Sequence, residues 1–481
     1  MNKRIKNIWV FFFWIMLMLP LIQMNTDWIR VGSLRGGQDP AAYPTFSVKQ
    51  WFNGEFQSGF DRAFEQRIGF RNWLIRFRNQ IEYSLFSKAN ASGVVVGRDR
   101  YLYERDYIRA WQGGDDLGAD FWGEKFRRLR MVSDTLAAKG TRIIVVLEPG
   151  KASLMPDYIP SRYKPSIEQS ANYHRILEKA AASRIPLLDL NRFFIERMGQ
   201  VSFPLFPKGG IHWSQAGMLL CADTLMGFIA SESGRMVPRI RIGETQPESR
   251  LEGTDDDLAQ IMNLLFQPKP LPMAYPEWTA VAVDTAWRPS MLAISDSYFF
   301  NLLNAGLVKQ LFSNEQFWYY NKTIYPESWS AEKTTDSIDI QSEVERMDLI
   351  LIMVTERFWY KFDWDFTDQL FECYYPDEES NYLYDYYRMI VRNFQWFDDI
   401  YRDSRDRGLA MTELLNGHAG YQFWVDDQKN PFPRDLSYYR MKIQTDTLWM
   451  SQIRDKAILN GIIPEEQIEL DARWMMDQDS L

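Results

Sequence analysis

The amino-acid sequence predicts an α/β protein with a mainly parallel sheet, an N-terminal membrane anchor helix and a C-terminal helical extension. Between residues 94 and 360, short apolar runs typical of buried strands alternate with segments of helical periodicity. An uncharged apolar run lies within the first 24 residues, and residues 25–93 have helical spacing. Residues 361–481 are helical in pattern, rich in Tyr, Trp and Asp, and contain no further strong strand. We therefore expect four segments: anchor, helical lead-in, α/β domain and helical extension.

The composition excludes several classes of protein. Of the 481 residues, 46% are apolar and 25% are charged, which is typical of folded chains. The formal net charge of -9 argues against a nucleic-acid partner, because a polyanion would be repelled. The aromatic content of 15% suits either stacking on sugars or ordinary core packing.

The two cysteines have no metal-like spacing, which excludes a zinc ribbon, and we expect neither a metal nor another cofactor. Cys221 lies in an apolar helical run, which predicts a buried free thiol. A Cys221–Cys373 disulfide in an oxidising compartment is the alternative.

The N-terminus predicts export. Lys3, Arg4 and Lys6 precede the uncharged run Ile8–Ile22, and this asymmetry places the N-terminus in the cytoplasm and the following chain outside it. Gln23 and Met24 extend the run to the lower limit of a membrane span, about 17–25 residues. A cleaved signal peptide is the alternative, but the sequence offers no small-residue cleavage site after Leu21. We expect a single-pass inner-membrane protein with a periplasmic body.

The elements of the α/β domain follow one another in an alternating order. The segment "GVVVGRDRYLYER" predicts a hairpin around a Gly-Arg-Asp turn. Continuous apolar runs such as "RIIVVLEP" are typical of strands buried on both faces of a parallel sheet. The other expected elements are helices at Phe121–Lys139, Ile167–Arg184 and Ser214–Ser231, a strand "PLLDL", a strand Met291–Ser295 followed by a helix from Tyr298, and a strand Asp348–Glu356.

The segment "MLAISDSYFFNLL" places Ser297 between a buried strand and a helix. A serine at such a turn is exposed at the carboxyl edge of the sheet, where backbone N–H groups at the start of the helix can hold an oxyanion. Ser and Asp are also common helix caps, so Asp296 and Ser297 have a purely structural interpretation as well.

The segment "FPKGGIHWSQAG" places His212 in a glycine-rich loop, beside Trp213 and before a helix that Ser214 would cap. This position suits a catalytic base, and a structural histidine is the alternative. His174 and His418 lie in ordinary helical or loop contexts, and we expect both to be structural.

The segment "VVLEPGKASL" ends a buried strand at Glu148, and the turn that follows carries Lys151. Sheets of this type place their sites at such strand ends. Lys151 could orient a carbohydrate or a carboxylate, and a solvated turn lysine is the alternative.

Six segments in order resemble the AlgX/AlgJ family of alginate O-acetylation proteins across about residues 40–360. They are "RIGFRNWLIRFRNQIEYSLF", "VVVGRDRYLYERDYI", "VVLEPGKASLMPDYIP", "GGIHWSQAG", "ISDSYF" and "ILIMVTER". The resemblance implies an SGNH-hydrolase-like three-layer fold in circularly permuted order. It implies a periplasmic protein that moves acetyl groups onto polysaccharide hydroxyls, with a membrane-bound O-acyltransferase as partner and acetyl source.

Within this resemblance, Ser297 matches the family's nucleophile and His212 matches its general base. The implied mechanism is ping-pong acyl transfer, in which Ser297 takes the acetyl group and a sugar hydroxyl then attacks the acyl-enzyme. We expect the Ser297 and His212 side chains within about 2.6–3.2 Å of each other. Lys151 and Trp213 are the expected substrate contacts.

The sequence departs from the family pattern Asp-x-His, because Gly210 stands at the acidic position. Ser295 also replaces the usual glycine before Asp-Ser. Loss of the acid leaves three alternatives: another carboxylate substitutes, the enzyme works as a Ser-His dyad, or the protein is inactive. Glu148 and Asp296 are the candidates for the supporting or substitute acid. We expect Glu148 to take that role, and Asp296 to cap the helix that follows it.

The sequence thus predicts an O-acetyltransferase or acetyl esterase that acts on an extracellular polysaccharide. The alternative is a catalytically inactive relative that binds polysaccharide or scaffolds a complex for exopolysaccharide modification and export.

Overall fold

The computed structural model describes residues 3–26, 28–37, 40–163 and 169–479. The chain divides into two compact units. The first takes in the residues up to Arg105 together with Phe206–His212 and Glu248–Met273. The second takes in Asp106–Leu205, Trp213–Pro247 and the residues from Ala274 onward.

The first unit begins with the helix Lys3–Thr26, which contains Pro20. Its part from Arg4 to Thr26 is long and apolar enough to cross a membrane, by length and composition. At 1.5 Å per residue these 23 residues extend about 34 Å, slightly more than a hydrocarbon core of about 30 Å. The described helix is therefore longer than the uncharged run Ile8–Ile22.

The helical lead-in is shorter than expected. Three helices follow the anchor segment: Val48–Phe52, Glu55–Arg67 and Arg71–Phe86. The described residues between Trp28 and Ser47 form no helix, because prolines and adjacent glycines interrupt helical hydrogen bonding there.

The expected hairpin is present in the first unit. Strand β1, Val94–Val96, pairs antiparallel with β2, Leu102–Glu104, and a short 3₁₀ helix at Arg98–Arg100 makes the turn. The Leu102 N–H donates to the Lys208 carbonyl at 3.0 Å. In the same loop, the Gly209 carbonyl accepts a hydrogen bond from the Ala259 N–H, also at 3.0 Å. Ala259 lies in the helix Asp257–Ile261, so both elements support the loop that ends at His212.

The second unit contains a six-stranded sheet in the order β4-β3-β10-β7-β8-β9. All neighbours pair in parallel except β8 and β9, which confirms the mainly parallel sheet. Strands β5 and β6 of this unit form a separate two-stranded antiparallel sheet. The strands of the unit are β3 Arg142–Leu147, β4 Leu187–Asp189, β5 Arg239–Ile242, β6 Trp278–Val281, β7 Met291–Ser295, β8 Gln316–Tyr319, β9 Thr323–Tyr325 and β10 Leu349–Val354.

Helices cover both faces of this sheet. Ile143 and Ile350 face a core that includes Leu129 of the helix Gly118–Ala138. On the opposite face, Leu351 packs against Leu225 and Phe299, which belong to other helices. The three-layer arrangement is therefore present. The helices of these layers are Arg105–Trp111, Gly118–Ala138, Lys151–Leu154, Ala171–Ala182, Leu190–Arg197, Gln215–Ser233, Tyr298–Asn304, Leu307–Leu311 and Ile340–Val344.

The expected start of one helix at Ile167 lies outside the described residues, and that helix is described from Ala171. Four strands were not expected, because β5, β6, β8 and β9 are only three or four residues long. Runs of this length carry too little periodicity to be distinguished from loops.

The C-terminal segment is helical in its described part, as predicted. A 3₁₀ stretch at Glu356–Asp365 leads into seven helices: Phe366–Tyr374, Tyr382–Arg392, Phe394–Arg407, Met411–Lys429, Leu436–Thr445, Thr447–Asn460 and Pro464–Asp479. Their apolar faces, including Ile390, Phe397 and Leu415, join the same core as the sheet residue Ile350. The helices thus extend one layer of the α/β fold.

Candidate active site

Three adjacent parallel strands end at the same edge of the sheet in the second unit. Strand β10 lies between β3 and β7, and all three run in the same direction. Glu148 follows β3, Thr355 and Arg357 follow β10, and Asp296 and Ser297 follow β7. The carboxyl edge therefore collects Glu148, Asp296 and Ser297, which the sequence singles out, together with Thr355 and Arg357, which it does not.

Ser297 does not act as a helix cap. It precedes the helix Tyr298–Asn304, yet its side chain makes no capping hydrogen bond. Instead, Asp296 accepts the Tyr298 N–H at 2.9 Å and also the Thr355 hydroxyl. The expectation that Asp296 caps this helix is confirmed. The structural interpretation of Ser297 as a cap is wrong, because the neighbouring carboxylate takes that role.

The buried guanidinium of Arg357 lies beside the serine. Its Nη2 donates to the Ser297 Oγ over a long distance of 3.4 Å. The guanidinium carbon lies 4.5 Å from the Phe358 ring centre and 5.7 Å from that of Tyr107, so aromatic rings help to hold it. A cation in this position can stabilise negative charge that develops on an oxygen bound to Ser297. Sequence analysis missed Arg357, although a charged residue directly after a buried parallel strand was a usable signal.

Glu148 is fully buried, and neither of its carboxyl oxygens has a hydrogen-bond partner among the described residues. Burial raises the pKa of the Glu148 carboxyl well above its usual value, and the negative charge of Asp296 acts in the same direction. Such surroundings favour the neutral carboxyl over the carboxylate, so Glu148 is poorly suited to stabilise an imidazolium.

The histidine loop belongs to the first unit and has its own carboxylate. The Nδ1 of His212 lies 2.8 Å from the Asp257 Oδ2. The other oxygen of Asp257 accepts the Ile211 N–H at 2.9 Å and the Leu258 N–H at 2.6 Å. Because a carboxylate accepts hydrogen bonds, the Nδ1 carries the proton and the Nε2 is the unprotonated nitrogen. These bonds fix the tautomer and the position of the ring.

The carboxylate that contacts His212 is Asp257, and the Glu148 oxygens have no partner among the described residues, so the structure does not support Glu148 as the acid that orients the histidine. The alternative of a bare Ser-His dyad also loses its basis. Sequence analysis missed Asp257 because it lies 45 residues after His212, in a run of three aspartates, Asp255 to Asp257. Local sequence does not distinguish among the three.

Close packing explains why the acid is absent from the usual position. A Cβ atom at Gly210 would lie 2.5 Å from the Thr254 carbonyl oxygen, 2.8 Å from the Pro207 Cγ and 2.9 Å from the Asp255 carbonyl carbon. Distances this short do not occur between real Cβ atoms and backbone. The loop therefore admits only glycine there, and the carboxylate comes from the facing segment instead.

The two expected substrate contacts are both buried. Lys151 is 1% exposed, so its alternative interpretation as a solvated turn lysine is wrong. Trp213 is 3% exposed, and its ring centre lies 5.1 Å from that of Tyr298. A ring so enclosed offers no face to a sugar, which contradicts the expectation that Trp213 contacts substrate.

The structure also shows the surroundings of His418 and of the two cysteines. The His418 Nδ1 accepts the Trp396 Nε1–H at 3.1 Å, which is a structural contact. Cys221 is a buried free thiol, as predicted, and Cys373 is an exposed one, so the two do not form a disulfide. Within the described residues, no cluster of His, Cys, Asp or Glu is arranged to hold a metal ion. Ser297 and His212 belong to different units, and their expected hydrogen bond stays a prediction.

Comparison with known proteins finds relatives of the central part of the chain. Residues 94–294 match the family model of the SGNH hydrolase-like domain of acetyltransferase AlgX. This range includes Glu148, His212 and Asp257 and ends just before Asp296. A probable alginate O-acetylase AlgJ of Pseudomonas aeruginosa is 27% identical over 171 residues, which is 35% of this chain and 40% of the relative. Its counterpart in Pseudomonas putida is 23% identical over 37% of this chain and 43% of the relative.

The chain spans less than half the length of the curated relatives that it matches. Among solved structures, the O-acetyltransferase domain of Pseudomonas putida AlgJ matches with 19% identity and a TM-score of 0.39, over 58% of this chain and 99% of that one. Pseudomonas aeruginosa AlgX matches with 14% identity and a TM-score of 0.37, over 60% and 71%. The family match and the relatives together lead to one conclusion: residues 94–294 are similar to the SGNH hydrolase-like domain of the AlgX/AlgJ type.

Proposed function

We propose that the protein transfers acetyl groups to hydroxyls of an extracellular polysaccharide, through an acetyl-enzyme formed on Ser297. The observation that carries this proposal is the His212–Asp257 pair. In it, Asp257 supplies the carboxylate that is missing at Gly210 and orients His212 as a base. The relatives named as probable alginate O-acetylases support the choice of reaction and of a polysaccharide acceptor. Hydrolysis of the same acetyl-enzyme by water would make the protein an acetyl esterase.

In the proposed mechanism, the His212 Nε2 takes the proton of the Ser297 hydroxyl while the Ser297 Oγ attacks the acetyl carbonyl. The donor group leaves with that proton, and the acetyl ester remains on Ser297. A sugar hydroxyl then gives its proton to His212 and attacks the ester, which releases the acetylated sugar and restores the serine. Asp257 stabilises the imidazolium in both steps, and Arg357 stabilises the oxyanion.

One contact supports the pairing of Ser297 with His212. The rings of Trp213 and Tyr298 pack with their centres 5.1 Å apart. These are the residues that directly follow His212 and Ser297 in the sequence. The non-catalytic alternative rested on the loss of the acid at Gly210, and Asp257 removes that support.

The first test is covalent labelling of Ser297. A fluorophosphonate probe reacts with activated serines, and we expect the folded protein to be labelled at Ser297 as judged by mass spectrometry of its peptides. Replacement of Ser297 by alanine is expected to abolish labelling and to lower acetyl-ester turnover by at least about 10⁴-fold. Ser295→Ala is the matched control, because its buried hydroxyl has no partner among the described residues. A folded protein that resists the probe would instead support a polysaccharide-binding or scaffold function.

The proposal also places the enzyme at the inner membrane, with its body in the periplasm and a membrane-bound O-acyltransferase as the acetyl source. The helix Arg4–Thr26 supports this location, since it is long enough to span the bilayer. Alkaline phosphatase fused after Leu481 is expected to be active and to sediment with membranes. An active but soluble fusion would show a cleaved signal peptide, and an inactive fusion would place the body in the cytoplasm.

A further inference from the structure

The helix Arg71–Phe86 of the first unit presents an apolar face to solvent. At 3.6 residues per turn, successive positions are about 100° apart, so positions 73, 74, 77, 81 and 85 fall within about 120° of one another. These positions hold large apolar side chains that are exposed: Trp73, Leu74, Phe77, Ile81 and Leu85. An amphipathic helix normally turns such a face toward the core. Here the face lies on the outside of the fold.

The opposite face of this helix is fixed to the rest of the first unit. The Asn79 Nδ2 donates to the Met262 carbonyl at 2.9 Å, and Tyr83 is buried. The Arg100 guanidinium lies 4.6 Å from the centre of the Tyr83 ring and donates to the Ser84 carbonyl at 3.0 Å. These contacts prevent the helix from rotating to bury its apolar face. That face therefore requires a partner outside the chain.

A second group of apolar side chains surrounds the preceding helix, Glu55–Arg67. Phe56, Phe60 and Phe64 are four residues apart, and the centre of the Phe60 ring lies 6.2 Å from each of the other two. Phe52, just before this helix, is 85% exposed. Three further rings join the group: Tyr43, Phe46 and Trp51. We call this group and the apolar face of the helix Arg71–Phe86 together the lead-in surface.

The turn between the two helices lies against the end of the apolar helix Lys3–Thr26. A Cβ atom at Gly69 would lie 2.8 Å from the Met24 backbone nitrogen and still closer to the Pro20 carbonyl oxygen. Pro20 and Met24 precede the helix end by six and two residues, which is about 9 and 3 Å along the axis. Helices that lie in a membrane interface bury their apolar face to a similar depth, about 5–10 Å. If Lys3–Thr26 crosses a bilayer, its contact with Gly69 holds the turn at the depth of such helices.

The charge of this region is opposite to that of the whole chain. Residues 41–90 carry seven Lys and Arg and four Asp and Glu, whereas the chain has a formal net charge of -9. Lys49 and Arg62 are exposed and belong to the same short helices as Phe52 and Phe60. Exposed cations beside Trp and Phe are the composition of helices that lie on anionic bilayers. The charge thus favours a phospholipid surface as the partner.

From these observations we infer that the lead-in surface lies in the outer interface of the bilayer that Lys3–Thr26 crosses, with phospholipid as its partner. The apolar side chains enter the upper part of the acyl chains, while Lys49 and Arg62 stay at the level of the phosphates. The inference builds on the membrane location proposed above and adds a second contact with the bilayer. The first unit, which includes His212 and Asp257, is thereby held at the membrane surface.

The test measures the depth of a fluorophore on the lead-in surface of the full chain. Phe77→Cys and Phe52→Cys are each labelled with a nitrobenzoxadiazole group, in a Cys373→Ser background that leaves only the buried thiol of Cys221. The protein is reconstituted in vesicles of phosphatidylcholine and phosphatidylglycerol without any other protein. Quenching is measured with lipids that carry a spin label near the start or near the end of the acyl chain. We expect both labels to be quenched more strongly by the shallow spin label, as a depth of about 5–10 Å requires.

Phe394→Cys is the matched control for the labelled positions. Phe394 belongs to the C-terminal helices and is 50% exposed, close to the 46% of Phe77. Its label should be quenched at least about 3-fold less than the label at position 77, because only the lead-in surface is expected to enter the lipid.

A pair of substitutions tests whether the apolar side chains drive the contact. Trp73→Ser combined with Leu74→Ser changes two exposed residues and should leave the melting temperature in detergent unchanged. In vesicles it should reduce the quenching of the label at position 77 by about half or more, because less apolar surface then favours the lipid.

Labels at positions 52 and 77 that remain in water in these vesicles would overturn the inference. If the same labels are shielded in native membranes but not in the vesicles, the lead-in surface binds a membrane protein, and phospholipid is the wrong partner. Neither result affects the alkaline phosphatase fusion or the fluorophosphonate labelling of Ser297. A failure of this inference is therefore distinguishable from a failure of the proposed function.

Discussion

Replacement of Asp257 by asparagine is expected to lower acetyl-ester turnover by about 10⁴-fold, the loss typical when the acid of a catalytic triad becomes an amide. Asparagine keeps the shape of the side chain, and its amide oxygen can still accept the Ile211 and Leu258 N–H groups. It removes the negative charge that stabilises the imidazolium. It can also turn its NH₂ group toward the His212 Nδ1, which would impose the wrong tautomer on the ring. The measurement is kcat for acetyl-ester hydrolysis, together with the rate of Ser297 labelling by a fluorophosphonate.

Two matched variants make this result specific. Asp256→Asn changes the preceding carboxylate, whose Oδ1 accepts from the Gln260 side chain, and it should alter kcat by no more than a few-fold. Glu148→Gln changes a buried carboxyl that has no hydrogen-bond partner among the described residues and should also have a small effect. If Asp256→Asn is as damaging as Asp257→Asn, the acidic run acts through the stability of the loop, and the His212–Asp257 pair has no special role.

Local sequence was sufficient to single out the proposed nucleophile and the proposed base, and not the proposed acid. Ser297 and His212 each lie in a short segment whose chemistry can be interpreted by itself: a serine after a buried strand, and a histidine in a glycine-rich loop. The acid depends on which distant segment packs against that loop. Asp257 reaches His212 only because the segment around Thr254 lies against Gly210, a contact that no periodicity encodes.

Burial also limited what local sequence could predict about the exposure of other residues. Lys and Trp are residue types common at binding surfaces, yet Lys151 and Trp213 are both buried inside the fold. The long apolar strands β3, β7 and β10 were predictable because burial on both faces leaves a continuous apolar run. Strands β8 and β9 were missed, because runs of three or four residues carry too little periodicity to be distinguished from loops.

Substitution of Gly210 tests whether close packing excludes a side chain from the usual position of the acid. Restoring the family's Asp-x-His pattern with Gly210→Asp is expected to abolish activity, although by sequence alone it would repair the site. The reason is steric. The Cβ would lie 2.5 Å from the Thr254 carbonyl oxygen and 2.9 Å from the Asp255 carbonyl carbon, and both atoms belong to backbone that cannot turn aside. The segment must move, and Asp257, three residues after Thr254, moves with it.

Gly210→Ala isolates this steric effect from charge. Overpacking of this kind typically costs about 1–3 kcal/mol, and the alanine variant should show a lowered melting temperature together with a loss of turnover. Gly123→Ala is the matched control, because a Cβ there meets nothing within 4 Å and the position is helical, so its stability should be unchanged or slightly raised. Should Gly210→Asp instead fold normally and turn over faster than the natural chain, the loop is not closed by this contact. Asp257 would then be a poor substitute for the lost acid, and not the residue that replaced it.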